Sequence, residues 1–431
     1  MESKKPILFD VYQNLEGRVP WISLLTGIPS NVDRLTELEN YLRINDGEIY
    51  VKRDDKDHKI YGGNKIRKFE FIFGEILKRK KKGVITLGGI GTNHGAACAI
   101  IAKELDLNCE LFLSLQPVTW HVQRSLLLYH YFGAKLHFTK MFELGVLKSL
   151  LFRMFHPKHY LMSIGGSPLF GIGTPLGSIG FINAIFELKN QIDEGILPEP
   201  DIIFVAAGST GTAAGLTAGC KLLGLKTKVY PVNVSRDIVV NPKNLIKIAN
   251  KSIKYLRKRD KSIPDVQVNK GDFNMIKGYL GSNYGVKTVK GQKAVDLVYK
   301  LEGEKLDFKL ETTYTGKAMA AMLEFLEKEE NKSKKILFWN TYNSNDLDKY
   351  IRETKFDFEK LPKKFHKYYT KKLFQCWQLT DCPEDIRNKC LAYLNQEYRF
   401  WKVTECKLEG DKHSIIKEKL SKVIKLEDNN Y

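Results

Sequence analysis

Two stretches of this chain share one grammar. Residues 84–100 read VITLGGIGTNHGAACAI, and residues 201–216 read DIIFVAAGSTGTAAGL. Each runs from a short apolar strand, rich in β-branched residues, through a glycine-rich loop into a helix of small residues. A strand that feeds a helix and then a parallel strand needs a long crossover, so this grammar commits the chain to layered α/β architecture. The pattern recurs. Helices are predicted over 95–105, 123–132, 176–194, 213–223, 241–259 and 291–302. Strands are predicted over 109–115, 134–139, 201–208, 228–234 and 335–343, with LMSIGGS at 161–167 and a turn-rich segment at 278–288 between them. From residue 346 the texture turns aromatic and Lys/Glu-rich, which reads as a C-terminal helical extension over 346–431.

Composition narrows the classes. Apolar residues make up 43% and charged residues 28% of 431 residues, enough for a real core in more than one domain. The opening MESKKPILFD lacks the apolar stretch of a secretory signal, and no uninterrupted apolar run reaches the ~18–20 residues that span a bilayer. No membrane association is expected. The cysteine count is odd, 7, with no CxxC, which fits free thiols in a reducing cytoplasm. Cys376, Cys382, Cys390 and Cys406 lie near His413, but their spacings match no common zinc pattern, so no metal is expected. The net charge of +19 is scattered, without a basic arm or a nucleic-acid motif, so no nucleic-acid partner is expected. The run KRKKKG at 78–83 reads as the cationic end of an amphipathic helix that Gly83 terminates.

In parallel α/β sheets, ligands sit beyond the carboxyl ends of the strands, on loops that lead into helices. The loop GSTGTAAG at 208–215 offers backbone N–H groups and the hydroxyls of Ser209, Thr210 and Thr212 at a positive helix end, a cradle for phosphate. It is neither a Walker loop nor a dinucleotide fingerprint, and a plain glycine-rich turn is the other reading. The loop GGIGTNHG at 88–95 places Thr92, Asn93 and His94 before a helix, where amides bind a carboxylate or where Thr92 or Asn93 simply caps the helix. Tyr314 in TTYTGK and Tyr284 in SNYG complete the set. The stretch YGGNKIRKFE at 61–70 then sets Lys65 just after a Gly-Gly-Asn turn. A lysine beside a phosphate cradle has an established use, the imine with pyridoxal phosphate. Arg67 and Lys68 read as ordinary helix residues.

The motifs KRDD…YGGNKIRKFEFI, GGIGTNHGAACAIIAKELDL, GGS…PLGSIGFINA, AAGSTGTAAGL and YTGKAMAAM occur in this order. Together, over about residues 10–345, they resemble the D-cysteine desulfhydrase / 1-aminocyclopropane-1-carboxylate deaminase family. These are pyridoxal 5′-phosphate enzymes of the tryptophan-synthase β-subunit fold type (fold type II). The resemblance implies two open, twisted, mostly parallel sheets flanked by helices. It implies a large cofactor-binding domain over 1–80 and 185–345, and a small α/β domain over 81–184. It also implies a small amino acid as substrate and a homodimer. By resemblance Lys65 carries the imine, and Asn93 bonds the cofactor's 3′ oxygen. Gly208, Ser209, Thr210, Gly211 and Thr212 hold its phosphate, and Thr341 stands near the pyridine nitrogen. Thr92, Asn93, His94, Tyr284 and Tyr314 face the substrate, with Thr92, Tyr284 and Tyr314 taking catalytic parts beside Lys65.

Within that family the deaminases carry a glutamate where this chain has Thr315, and tend to a leucine where it has Thr341. Both positions imply desulfhydrase chemistry: β-elimination from D-cysteine to a 2-oxo acid, ammonia and sulfide. The alternatives are deamination of aminocyclopropane carboxylate, or a cofactor-binding relative with changed or lost activity. The chain departs from the family at 340–343, where Asn-Thr-Tyr-Asn replaces His-Thr-Gly-Gly. It departs again at 281–283, Gly-Ser-Asn in place of Gly-Pro-Gly, and in the insertion LFGIGT before PLGSIG. All three departures fall on the substrate side.

Overall fold

The computed structural model describes residues 5–116, 118–168, 172–353 and 357–369. Nine strands are defined among them: β1 (Val32–Arg34), β2 (Glu48–Arg53), β3 (Gly83–Gly89), β4 (Asn108–Ser114), β5 (Lys135–Thr139), β6 (His159–Leu161), β7 (Ile202–Ala207), β8 (Lys228–Asn233) and β9 (Lys335–Asn340). They form two sheets, of order β1-β2-β9-β7-β8 and β5-β4-β3-β6. Every pairing is parallel except β1 with β2. Helices flank both sheets, as the alternating strand–helix pattern requires.

Parallel strands covered on both faces read as continuous apolar runs. β7, IIFVAA, is buried at all six positions, and β9 is buried at every position but its first. The register pairs Ile202 with Ile336 and Val51 with Phe338, so β2, β9 and β7 run side by side in one direction. Their carboxyl ends therefore lie along one edge. The loops that leave that edge are those that carry Lys65, Thr341 and Gly208.

Several elements were not legible in the sequence. β2 is one, because EIYVKR ends in two charged residues. Both are nevertheless buried. Lys52 Nζ lies 2.6 Å from Glu187 Oε1 and 2.6 Å from Gln191 Oε1, and Arg53 Nε lies 2.9 Å from Asp55 Oδ1. The helices Thr36–Leu42 and Phe142–Phe155 were also unread. The helix Lys65–Lys78 ends before the basic run does, and Lys80 takes the left-handed turn at φ 50°. Gly83 opens β3 rather than stopping the helix. Of the expected C-terminal extension, the described part holds the helix Asp348–Glu353 and the short turns Phe358–Lys360 and Lys363–Tyr368. Residues 354–356 and 370–431, with Cys376, Cys382, Cys390, Cys406 and His413, lie outside the described residues.

Arg67 is not an ordinary helix residue. It is 1% exposed and sits at the centre of a buried ion cluster. Its guanidinium donates to Asp54 Oδ1 at 2.9 Å, to Glu187 Oε2 at 3.0 Å and to Ser30 Oγ at 2.8 Å. Trp339 Nε1 on β9 donates to the other Asp54 oxygen at 2.6 Å. Burial works to raise the Glu187 carboxyl, yet the Arg67 and Lys52 cations beside it bring it down to about 2. The cluster ties the helix Lys65–Lys78 to the helix Leu176–Asp193, to β2 and to β9. Removing one partner leaves the others charged and unmatched in the core. Glu187→Gln is therefore expected to lower the unfolding free energy by about 3–5 kcal/mol in urea titrations, whereas a loss under about 1 kcal/mol would contradict this reading of the cluster.

Candidate active site

The Gly-Gly-Asn turn before Lys65 is dictated by close backbone approach. A Cβ on Gly62 would fall 1.8 Å from the Asp55 carbonyl oxygen, so only glycine fits. Gly63 has φ +100°, and a Cβ there would meet the carbonyl oxygens of Thr341 and Tyr342, each at 2.8 Å. The turn is stitched on both sides. Gly62 N donates to Asn343 Oδ1 at 2.8 Å, Gly63 N to Asp54 O at 2.5 Å and Asn64 N to Thr341 O at 3.3 Å. The chain after β2 is thus wedged against the chain after β9, and the helix starts with Lys65 facing the edge of the sheet.

One cavity receives Tyr61, Asn64 and Lys65 from this turn. It also receives Thr92, Asn93 and His94 from the helix start after β3, and Ala206, Ala207, Gly208, Ser209, Thr210, Thr212 and Ala213 from the end of β7 and the loop and helix that follow it. Ile164, Gly165, Tyr284, Glu311, Tyr314, Thr341 and Tyr342 complete it. Two sheets contribute their carboxyl ends to one space. Of the residues expected from the sequence, only Gly211 stands behind the lining. A Cβ on it would fall 2.0 Å from Ser167 Oγ.

Lys65 Nζ donates to Asn64 Oδ1 at 2.8 Å, and Asn64 Nδ2 donates to Thr212 Oγ1 at 3.1 Å. Burial pushes the Lys65 amine down to about 8, against the pull of the Glu311 carboxylate. The glycine-rich loop opens the helix Gly211–Leu223, whose first amides have no partner within the helix. Thr210 adopts φ 67° there and turns its hydroxyl to donate to Val239 O at 2.9 Å. Of the three hydroxyls expected in the cradle, those of Ser209 and Thr212 remain. Ser209 Oγ lies 3.1 Å from Ser167 Oγ.

Thr92 caps the helix Asn93–Glu104, its Oγ1 accepting from Gly95 N at 3.4 Å. Its carbonyl accepts from Tyr129 Oη at 2.8 Å, and the Asn93 carbonyl accepts from Tyr61 Oη at 3.2 Å. His94 is 4% exposed, with Nε2 2.9 Å from Thr86 Oγ1 and its ring beside Phe69. Burial, with the nearby Lys65 and Lys68 cations, holds its pKa well below the usual imidazole range, so it is neutral at pH 7. The Tyr284 and Tyr314 hydroxyls are in contact, their rings edge to face at 6.0 Å.

Three residues were missed by sequence reasoning. Glu311 accepts from the amides of Thr313, Tyr314 and Thr315 at 2.7, 2.8 and 2.9 Å, which fixes the Tyr314 loop onto the helix Thr315–Leu326. Its signal was an acid just ahead of a helix start. Tyr61, which stands on the quoted stretch itself, was read only as its first letter. Lys68 lies one turn on from Lys65, a spacing that puts both on one helix face. It is 1% exposed, and its Nζ donates to Gly165 O at 2.9 Å and to Ser167 Oγ at 3.4 Å, both neutral. Burial, with Lys65 nearby, drives its pKa well below the lysine range. Lys68, Ser167 and Ser209 form a buried line to the underside of the glycine-rich loop.

A half-buried amine of lowered pKa, facing a helix-end loop backed by a second buried amine, suits a ligand that carries both an aldehyde and a phosphate. Comparison with known proteins agrees with that class. Residues 29–341 match the family model described as pyridoxal-phosphate dependent enzyme. The chain is 30% identical over 336 residues to the D-cysteine desulfhydrase of Salmonella newport (strain SL254), covering 75% of this chain and 94% of the relative. The Salmonella typhi D-cysteine desulfhydrase matches to the same extent. Among solved structures, an ACC deaminase homologue superposes with a TM-score of 0.64 at 25% identity, covering 79% of this chain and 95% of that one. Threonine deaminase isoform 2 from Solanum lycopersicum shares the fold, with a TM-score of 0.53 at 17% identity.

The chain belongs to the pyridoxal-phosphate dependent enzymes, and its cofactor is pyridoxal 5′-phosphate. Among the described residues no group of three or more His, Cys, Asp or Glu is placed to hold a metal ion, and no helix is long and apolar enough to cross a membrane.

Amines attack aldehydes in their neutral form, and burial brings the Lys65 amine down to about 8. Its capture of pyridoxal phosphate, followed by the growth of imine absorbance, is therefore expected to accelerate with rising pH and level off above about 8. A rate still climbing above pH 10, as for an exposed lysine, would contradict the burial assigned to this amine.

Proposed function

We propose that the chain is a pyridoxal-phosphate dependent lyase/deaminase that acts on a small amino acid in the manner of a D-cysteine desulfhydrase. The observation that carries this reading is the meeting of Lys65, the Gly208–Thr212 loop and Thr341 in one cavity. Lys65 anchors the cofactor covalently. The backbone of the loop Gly208, Ser209, Thr210, Gly211 and Thr212, with the Ser209 and Thr212 hydroxyls, would hold the phosphate at the helix end, and the buried Lys68 would keep its proton once that anion is in place. Asn93 and Thr341 flank the ring. Pyridoxal phosphate, when bound, supplies an electron sink for charge left at the substrate's α-carbon.

Every other part falls to the protein. Amides and side chains of Thr92, Asn93 and His94 receive the substrate carboxylate at the start of their helix. The neutral His94 adds no charge there. Lys65, once free, has a pKa suited to taking the α-proton near neutral pH. Tyr284 and Tyr314, with hydroxyls in contact, stand where a proton can be passed to or from the reacting atoms. The Cβ–S bond then breaks and sulfide leaves, while water converts the remaining enamine to a 2-oxo acid and ammonia. Thr315 is fully buried and its hydroxyl accepts from Glu311 N at 2.9 Å, so it brings no carboxylate to the cofactor. This supports elimination over opening of a cyclopropane ring.

The reading extends to organisation. The sequence puts the larger unit at 1–80 and 185–345 and the smaller one at 81–184. Because the helix Leu176–Asp193 is continuous and packs on the helices Lys65–Lys78 and Gly211–Leu223, we move the boundary ahead of Leu176, and the cavity lies where the strand ends of the two units meet. A homodimer goes with it, supported by the exposed apolar residues Leu147, Met154 and Phe155 on one helix. A cytoplasmic setting is supported by Cys98, Cys109 and Cys220, buried as free thiols.

The purified protein should be yellow with pyridoxal phosphate, and Lys65→Ala should abolish the imine band. Assay of 2-oxo acid with D-cysteine, L-cysteine, D-serine and aminocyclopropane carboxylate should give D-cysteine as the best substrate. Aminocyclopropane carboxylate ahead of D-cysteine would turn the reading to a deaminase, and silence with all four would end it. Separately, Lys68→Met should weaken binding of pyridoxal phosphate by about 10-fold or more while leaving pyridoxal unaffected, because the lost contact is with the phosphate. Equal loss for both ligands would remove Lys68 from the phosphate site.

A further inference from the structure

Tyr284 and Tyr314 reach the cavity from separate segments, yet their hydroxyls are in contact. Each needs a hold of its own. For Tyr314 it is Glu311, which accepts from the amides at the start of the helix Thr315–Leu326. Tyr284 stands in residues 278–288, which form neither helix nor strand and are exposed at 281–283. Gly281 and Gly285 on either side of it take φ 79° and 80°, so the chain turns sharply there. Within the turn, Val286 N donates to Asn283 O at 3.3 Å. A loop of this kind does not fix a side chain by itself.

Lys317 supplies the hold. It lies three residues after Tyr314, on the helix Thr315–Leu326, and is fully buried. Its Nζ donates to Leu280 O at 2.7 Å and to Val286 O at 2.7 Å. Those two carbonyls bracket the turn that carries Tyr284. The lysine stem packs against the helix Val289–Val298, which follows the loop: a Cβ on Gly291 would come 3.3 Å from Lys317 Cγ. Farther out, Tyr279 Oη donates to Glu324 Oε2 at 2.8 Å, on the same helix as Lys317. Burying an amine is costly unless its hydrogen bonds are made, and both of those made by Lys317 go to this loop.

We propose that Lys317 is a positioning residue for the reaction: by clasping the loop at Leu280 and Val286, it holds the Tyr284 hydroxyl against that of Tyr314. One helix thereby sets both phenols, Tyr314 at its start and Tyr284 through the lysine. Lys317 does not line the cavity, so it acts through Tyr284 and touches neither cofactor nor substrate. The inference rests on the amino-acid-lyase reading above.

The test uses the full chain loaded with pyridoxal phosphate. Lys317→Met keeps most of the stem and removes its donors. Its imine absorbance should match the wild type, while kcat/KM for D-cysteine falls about 10-fold or more, chiefly through kcat. Tyr284→Phe should fall at least as far, and Lys317→Met added to Tyr284→Phe should lower kcat/KM by less than about 2-fold further. A merely structural loss would instead add in full. Hydrogen exchange gives a readout without substrate: amides at 278–288 should exchange about 10-fold faster or more in Lys317→Met, with those at 208–215 unchanged. Lys317→Gln, too short to reach both carbonyls, carries the same comparisons if Lys317→Met does not fold.

Unchanged kcat/KM in a Lys317→Met protein that keeps its imine absorbance overturns the proposal. So does a fully additive loss in the Tyr284→Phe background. Unchanged exchange at 278–288 overturns the clasp itself, whatever the substrate. A wild type that turns over no amino acid ends the lyase reading and the positioning role with it, while exchange decides the clasp separately.

Discussion

The buried cluster of Arg67, Asp54, Glu187 and Lys52 is the constraint on which the site depends. Arg67 is two residues from Lys65, on the same helix. Its bonds to Asp54 and Glu187 fix where that helix begins relative to β2 and the helix Leu176–Asp193. Asp54 also accepts from Trp339 on β9 and, through its carbonyl, from Gly63 N. One aspartate therefore sets both the helix that carries the lysine and the turn that delivers it. Isolated buried ion pairs are weak evidence for stability. This one has another use, since it places a reactive amine at a defined point on a sheet edge.

The same helix carries a second kind of buried charge. Arg67 is matched by carboxylates, whereas the hydrogen-bond partners of Lys68 are a carbonyl and a hydroxyl. The two neighbours show what a protein does with cations it cannot hydrate. A matched one is structural. One held by neutral groups is pushed toward its uncharged form. Lys65 lies between these cases, with its pKa lowered but not collapsed.

The parallel α/β architecture and the loops at 88–95 and 208–215 were readable because they depend on local chemistry: glycine turns, hydroxyls and apolar runs. The lysine at 65 was readable by its turn. What escaped were residues whose meaning is set by distant partners. β2 looked too charged for a buried strand because Glu187, which neutralises Lys52, is far away in sequence. Arg67 and Lys68 looked like ordinary helix residues for the same reason. Thr210 offered a hydroxyl to the cradle on paper, but the left-handed backbone there turns it to Val239. Glu311 was hidden because an acid ahead of a helix has an ordinary use as a cap. It has that use here, and it also lines the cavity.

The turn after β9 makes the enzyme evolvable in one way and rigid in another. Gly63 packs against the carbonyl oxygens of both Thr341 and Tyr342, and Asn343 holds Gly62 from the same turn. No residue can be inserted or deleted there without moving Lys65 off the sheet edge. Thr341 and Tyr342 also line the cavity. Divergence among such chains at this turn should therefore take the form of substitutions at fixed length, with lining residues exchanged while the hinge that carries the lysine keeps its count.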